Sequence, residues 1–166
     1  MIMHTRRISI VSVGLAFLLA LLMGGSAFAY SGILAFGDSL SDNGTGALNG
    51  NPDDIYGFQR YSNGPVWVEY LASDHLNVPL LDMAYGGATT AYDNPAAYSS
   101  TKNEYYLGNT GLLWQLGAYA AAHPSGIPSG TLVALWAGGN DMFNLRSTSA
   151  AASNIGAAIQ ILYNLG

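Results

Sequence analysis

Three short apolar segments, each followed by a turn of glycine and small polar residues, constrain the fold of this chain more than any other feature. The segments occupy residues 32–36, 78–83 and 131–136. The turns are Gly-Asp-Ser at 37–39, Gly-Gly at 86–87 and Gly-Asn-Asp at 139–141. Short continuous apolar runs are typical of strands buried on both faces of a parallel sheet. Because ligands bind at the carboxyl ends of such strands, we expect the three turns to meet at one site.

Helical patterns separate these strands. The segments 65–76, 111–122 and 150–165 carry apolar residues at helical spacing, and prolines stand at the start of the first and just after the second. Polar stretches at 42–63 and 91–109 are predicted to be loops or irregular surface segments. Alternating strands and helices predict an α/β fold with a parallel sheet and right-handed crossovers.

Residues 1–29 have the pattern of a secretory signal peptide. Arg6 and Arg7 precede an apolar run over 8–23, and Ser-Ala-Phe-Ala ends the segment with the small residues of a cleavage site. The apolar run is shorter than the roughly 20 residues that cross a bilayer, which favours cleavage over a stable membrane anchor. We therefore expect a secreted protein, extracellular or periplasmic, whose domain occupies 30–166.

Charge and cysteine content argue against several classes of partner. Without the two signal arginines, three basic side chains remain against ten acidic ones, a net charge of −7. The three are scattered rather than clustered, so nucleic acid is not an expected partner. With no cysteine there is no disulfide or thiolate zinc site, and the acidic residues of the 42–63 loop lack EF-hand spacing. No metal or cofactor is predicted, and no strand-linked Gly-x-Gly-x-x-Gly motif indicates a nucleotide.

Ser39, Gly87 and Asn140 are the residues of the three turns that could perform chemistry. A serine between a strand and a helix exposes its hydroxyl as a nucleophile and aims its own N–H at a developing oxyanion. The Gly87 N–H and the Asn140 side-chain amide would add two further donors. Each residue also has an ordinary structural explanation, as a helix cap, a tight-turn glycine and a backbone partner respectively.

The sequence around these turns resembles the GDSL/SGNH family of serine lipases and esterases. Residues 35–43 (Ala-Phe-Gly-Asp-Ser-Leu-Ser-Asp-Asn) resemble the first block of that family, residues 84–89 the second and residues 138–141 the third. Residues 62–71 look like the segment that many members carry between the first two blocks. The resemblance spans essentially all of the expected domain in the family's order. It implies the SGNH hydrolase fold, a flavodoxin-like three-layer α/β/α arrangement around a parallel sheet.

The resemblance also implies an activity and a role for each site residue. Ser39 would be the catalytic nucleophile, and the N–H groups of Ser39 and Gly87 with the Asn140 side chain would form the oxyanion hole. Asp38 is expected to support the turn rather than to transfer protons. The family hydrolyses esters through an acyl-serine intermediate, and its substrates include small carboxylic esters, lipids and acetylated sugars.

One part of the family pattern is missing from this sequence, a histidine three residues after an aspartate near the C-terminus. His75 and His123 each have an alanine three positions earlier, and both are predicted to be surface residues at helix ends. We therefore expect an incomplete domain, inactive alone, with further strands and the histidine loop lying beyond Gly166. The alternative is a catalytically inactive exported module that binds an acyl group or a glycan. A smaller departure is Asp82, where many members have asparagine.

Overall fold

The computed structural model describes residues 30–44, 60–99, 104–105 and 109–166. The segment interpreted as a signal peptide and most of the first predicted loop lie outside the described residues. A parallel sheet contains strands β1 (Gly32–Gly37), β2 (Leu80–Asp82) and β5 (Thr131–Trp136). A small antiparallel pair, β3 (Tyr98–Ser99) and β4 (Glu104–Tyr105), lies in the segment predicted to be irregular.

Four α-helices accompany these strands in the described part of the chain. They are α1 (Trp67–Tyr70), which continues as a π-helical turn over Leu71–Leu76, α2 (Leu112–Ala122), α3 (Gly139–Phe143) and α4 (Thr148–Leu165). A 3₁₀ turn covers Pro95–Ala97. None of the described helices is both long enough and apolar enough to cross a membrane.

The predicted elements are present, with adjusted ends. The third strand has the predicted bounds, whereas β2 is shorter than the predicted 78–83. Hydrogen bonds to β1 nevertheless continue past β2, since the Met83 N–H donates to the Ala35 carbonyl at 2.8 Å. The last helix begins earlier than predicted because the Ser147 hydroxyl accepts the Ala150 N–H at 3.4 Å and caps it. Helix α3 lies where the sequence predicted only a turn.

Strand β1 is the centre of the sheet, because the strand order is β2-β1-β5 and both pairings are parallel. Its alternate residues point to opposite faces. Ile33 and Ala35 belong to a cluster that contains residues of α1 and its approach: Val66, Val68 and Ala72. Leu34 and Phe36 belong to a second cluster with residues of α2 and α4: Leu112, Leu116, Tyr119 and Ala158. Helices therefore cover both faces, which confirms the predicted α/β fold.

The connections place a crevice at the end of β1. From β1 the chain runs through α1 to β2 on one side, and from β2 it runs through α2 to β5 on the other side. In open α/β sheets, a ligand binds outside the carboxyl ends of the strands where the direction of winding changes. That position lies between the turn after β1, which carries Ser39, and the turn after β5, which carries Asn140.

A buried glutamine fixes the last residue of β1. The Gly37 N–H donates to Gln115 Oε1 at 2.9 Å, and Gln115 Nε2 donates to the carbonyls of Gly37 at 2.8 Å and Thr110 at 3.0 Å. Gly37 itself must lack a side chain, because a Cβ there would lie 2.2 Å from the Trp136 carbonyl oxygen. Helix α2 therefore holds the residue from which the turn carrying Ser39 begins.

We predict that Gln115→Leu lowers the free energy of unfolding by about 2–3 kcal/mol, because the buried Gly37 N–H and Thr110 carbonyl lose a partner. The measurement is urea unfolding followed by circular dichroism. Gln160→Leu is the matched control, since Gln160 is exposed on α4 and bonds only Asn164 within the described residues. Equal effects of the two substitutions would contradict the assignment.

Candidate active site

The turn after β1 holds Ser39 at the carboxyl end of the central strand. Asp38 shapes this turn: its Oδ1 accepts the Leu40 N–H at 3.1 Å, and its carbonyl accepts the N–H groups of Ser41 and Asp42, both at 3.0 Å. The chain therefore makes a hydrogen-bonded turn at 38–42, and the next helix in the described part of the chain is α1. Burial raises the pKa of Asp38.

Gly87 adopts a backbone conformation that other residues avoid. Its φ is +80°, and a Cβ would lie 2.2 Å from the Ala96 Cβ and 2.6 Å from Asn94 Oδ1. The buried Asn94 side chain holds this turn, because its Nδ2 donates to the Gly86 carbonyl at 2.8 Å. Within the described part of the chain, neither the Ser39 N–H nor the Gly87 N–H donates to another protein group. Both donors therefore remain available to a ligand.

Two carboxylates join the first turn to the second. The Gly86 N–H donates to Asp42 Oδ2 at 2.7 Å, so the end of the Ser39 turn holds the residue before Gly87. At the end of β2, Asp82 accepts the N–H groups of Asn43 and Ala84, each at 2.9 Å. Asp82, which replaces the asparagine of many family members, thus pairs with backbone groups of both turns.

The third turn contacts the second through Asn140 and Asp141. Asn140 Nδ2 donates to the Ala88 carbonyl at 2.9 Å, which leaves its second amide hydrogen for another acceptor. The buried Asp141 accepts the Thr90 N–H at 2.8 Å and the Thr90 hydroxyl at 2.7 Å. The Asn140 side chain is thereby held at Ala88, the residue that follows Gly87.

An outer group of polar side chains supports this contact. Asn154 Nδ2 of α4 donates to the Thr90 hydroxyl oxygen at 3.1 Å, and Arg146 forms a two-point ion pair with Asp93. Burial raises the pKa of Asp93, but the hydrogen bonds and charge of Arg146 outweigh it and hold that pKa below its usual value. Sequence reasoning missed Asp93, Arg146 and Thr90, because their partners are more than 50 positions away in the chain.

The described histidines lie away from Ser39. His75 is exposed at the end of the π-helical turn, just before β2, as predicted. His123 is half-buried and not a simple surface residue: its ring stacks on Tyr119 with 4.2 Å between centroids. It borders a cavity with the first residues of β1 and β5, Gly32 and Thr131. At about 3.3 Å per residue, the length of β1 separates this amino-terminal end from Ser39 by roughly 20 Å.

A serine at the switch point of a doubly wound sheet, with two free N–H groups and an anchored amide beside it, defines a site suited to acyl transfer. A family model described as GDSL-like Lipase/Acylhydrolase matches residues 33–164, and the chain belongs to this family. The match confirms the family and the fold that the sequence motifs indicated, and it is consistent with action on ester bonds.

The chain is also similar to a curated protein of Aeromonas hydrophila named phosphatidylcholine-sterol acyltransferase. The two are 33% identical over 119 residues, which cover 68% of this chain and 33% of that protein. The aligned region is therefore about a third of the length of that relative.

The pKa of Asp82 leads to a prediction about pH. Burial raises this pKa to about 7, the Ala84 and Asn43 N–H groups oppose the rise, and the charges of Asp42 and Glu69 add to it. Between the ordinary carboxyl value of 3.8 and about 7, the folded protein holds a proton that the unfolded chain releases. The free energy of unfolding must therefore fall as the pH rises through this window.

We predict that stability decreases from pH 5 to pH 7, with a contribution from Asp82 of at most about 1.4 kcal/mol per pH unit. Asp82→Asn removes the titrating group and should flatten the slope in urea titrations at four pH values. The raised pKa values of Asp38 and Asp42 leave a residual slope of the same sign. The exposed substitution Asp74→Asn is the control, and an unchanged slope in Asp82→Asn would refute the prediction.

Proposed function

We propose that this chain carries the nucleophile and the oxyanion hole of a secreted carboxylic ester hydrolase that works through an acyl-serine intermediate. The observation that supports it most is the anchoring of the Asn140 amide on the Ala88 carbonyl, next to the free N–H of Gly87. The free Ser39 N–H is the third donor of the proposed oxyanion hole.

The proposed reaction has two stages. The Ser39 Oγ attacks the ester carbonyl carbon while its proton passes to a base, and the carbonyl oxygen becomes an oxyanion that accepts the donated hydrogen bonds. Collapse breaks the C–O bond to the alcohol, which leaves with a proton, and the acyl group stays on Ser39. Water then attacks the acyl-serine by the same route and releases the carboxylic acid.

The base is proposed to come from polypeptide outside these residues. His123 borders the cavity at the amino-terminal end of β1 and β5, and His75 lies in the segment that leads into the amino-terminal end of β2. Both are therefore at the opposite end of the strands, beyond reach of the Ser39 hydroxyl. The partial coverage of the Aeromonas relative supports a longer functional protein. That relative's name also supports a lipid ester as acyl donor, with water or an alcohol as the group that receives the acyl chain.

We predict that a protein extended through the downstream reading frame hydrolyses p-nitrophenyl butyrate and that Ser39→Ala abolishes this activity. Asn140→Ala should lower kcat by about 10²–10³ with little change in KM, because its amide acts chiefly on the transition-state oxyanion. The substitution Asn164→Ala is a suitable control, since Asn164 is exposed near the end of α4 and bonds Gln160.

The outcome also separates the two candidate functions. Ser39-dependent turnover at enzyme rates by the 30–166 protein would show that it contains its own base. An extended protein that folds, binds esters or acids and never turns over would favour the alternative, an exported binding module. The distance of the described histidines from Ser39 is the observation that keeps this alternative open.

Export gives a separate prediction. Expressed in a bacterium with its own N-terminus, the protein should be processed after Ala29, so that intact-mass analysis finds Tyr30 as the first residue. Ala29→Asp places a charge at the cleavage site and should leave the leader attached. Recovery of unprocessed wild-type protein from the cytoplasm would contradict a secretory signal.

A further inference from the structure

An apolar cleft of about 370 Å³ opens beside Ser39, between the start of α1 and the end of β5. Ser39 lies at its border, and two tryptophans, Trp67 and Trp136, dominate its walls. The neighbouring Leu40 also lines it and is more than half exposed. Among the described residues that line this cleft, none carries a charge.

The two tryptophans are exposed although their positions are fixed. Trp67 is 40% exposed and Trp136 is 51% exposed. The Trp67 indole N–H donates to the Ser41 hydroxyl at 3.1 Å, which ties that ring to the nucleophile turn. Trp136 is the last residue of β5, and the ring centroids are 6.2 Å apart at an angle of 52°. Large exposed apolar surface next to a reactive group is typical of a binding site.

We propose that this cleft is the subsite for the acyl chain, and that it takes an unbranched alkyl chain whose carbonyl lies at Ser39. The inference rests on the proposed function, since it is the reaction at Ser39 that places the ester carbonyl at that end of the cleft. The tilted rings stand too close together to clamp a flat ring between them, whereas a thin alkyl chain can lie along their faces. A glycan would need many polar partners, whereas apart from Ser39, Tyr61 and Ser62 the described lining is apolar, and the Trp67 N–H is already bonded to Ser41.

Binding can be measured without catalysis in the full 166-residue chain carrying Ser39→Ala. Calorimetric titration with butanoate, hexanoate, octanoate and decanoate should show affinity rising roughly fourfold for each added CH₂ until the cleft is filled. Trp136→Ala should remove most of this gradient, and Trp136→Phe should keep part of it. Tyr163→Ala, which removes an exposed aromatic ring on α4 away from the cleft, should keep all of it.

The same variants are then assayed in the extended protein with p-nitrophenyl acetate and octanoate. Trp136→Ala should lower kcat/KM for the octanoate ester at least tenfold and change that for the acetate ester less than twofold. The folded state of each variant is checked by circular dichroism, and Trp136→Phe carries the test if the alanine variant unfolds.

The results separate the subsite from the proposed function. Ser39-dependent hydrolysis with the same chain-length preference in wild type and both Trp136 variants would overturn the subsite and leave the function standing. A Trp136-dependent binding gradient without any hydrolysis in the extended protein would support the subsite and overturn the hydrolase. Affinity that does not depend on chain length in the Ser39→Ala chain would also overturn the subsite.

Discussion

The pairing of β1 with a neighbour on each edge and a helical layer on each face is the constraint on which the rest of the structure depends. Every residue from Ile33 to Phe36 is buried, so this strand cannot carry a reactive polar side chain along its length. The first position where a hydroxyl can reach solvent is just past Gly37. The close approach of Trp136 to Gly37 then brings the end of β5, and with it Asn140, beside the turn that carries Ser39.

Buried polar side chains, and not disulfides, join the three turns. Asp42, Gln115 and Asp141 each accept backbone N–H groups from a distant segment, and each is almost wholly buried. Burying a carboxylate is unfavourable unless hydrogen bonds compensate for the lost water. The raised pKa of Asp42 shows that the compensation is incomplete. The site is thus held by interactions that specify its geometry more than they stabilise the fold.

Local pattern was sufficient to predict the sheet and the family, because both leave a periodic or motif signal. The apolar run of β5 has the same bounds in sequence and structure, and the motifs indicated the family before any contact was known. What the sequence could not reveal are pairings between distant residues. Nothing local marks Gln115 as the partner of Gly37, because a glutamine on a helix is usually solvated. Helix α3 was missed because its glycine start is typical of a turn.

The oxyanion donors and the base are separable because they depend on different parts of a fold. Unpaired N–H groups are costly, by about 1–3 kcal/mol each when buried, and they persist only where the backbone has no alternative. At Gly87 the backbone is held in one conformation, because φ is +80° and Asn94 and Ala96 leave no space for a Cβ. These constraints lie wholly within the described residues. In the proposed hydrolase, the base would come from another segment, whereas the three proposed oxyanion donors belong to turns that the described residues already hold in place. The two parts of the proposed site can therefore be tested separately.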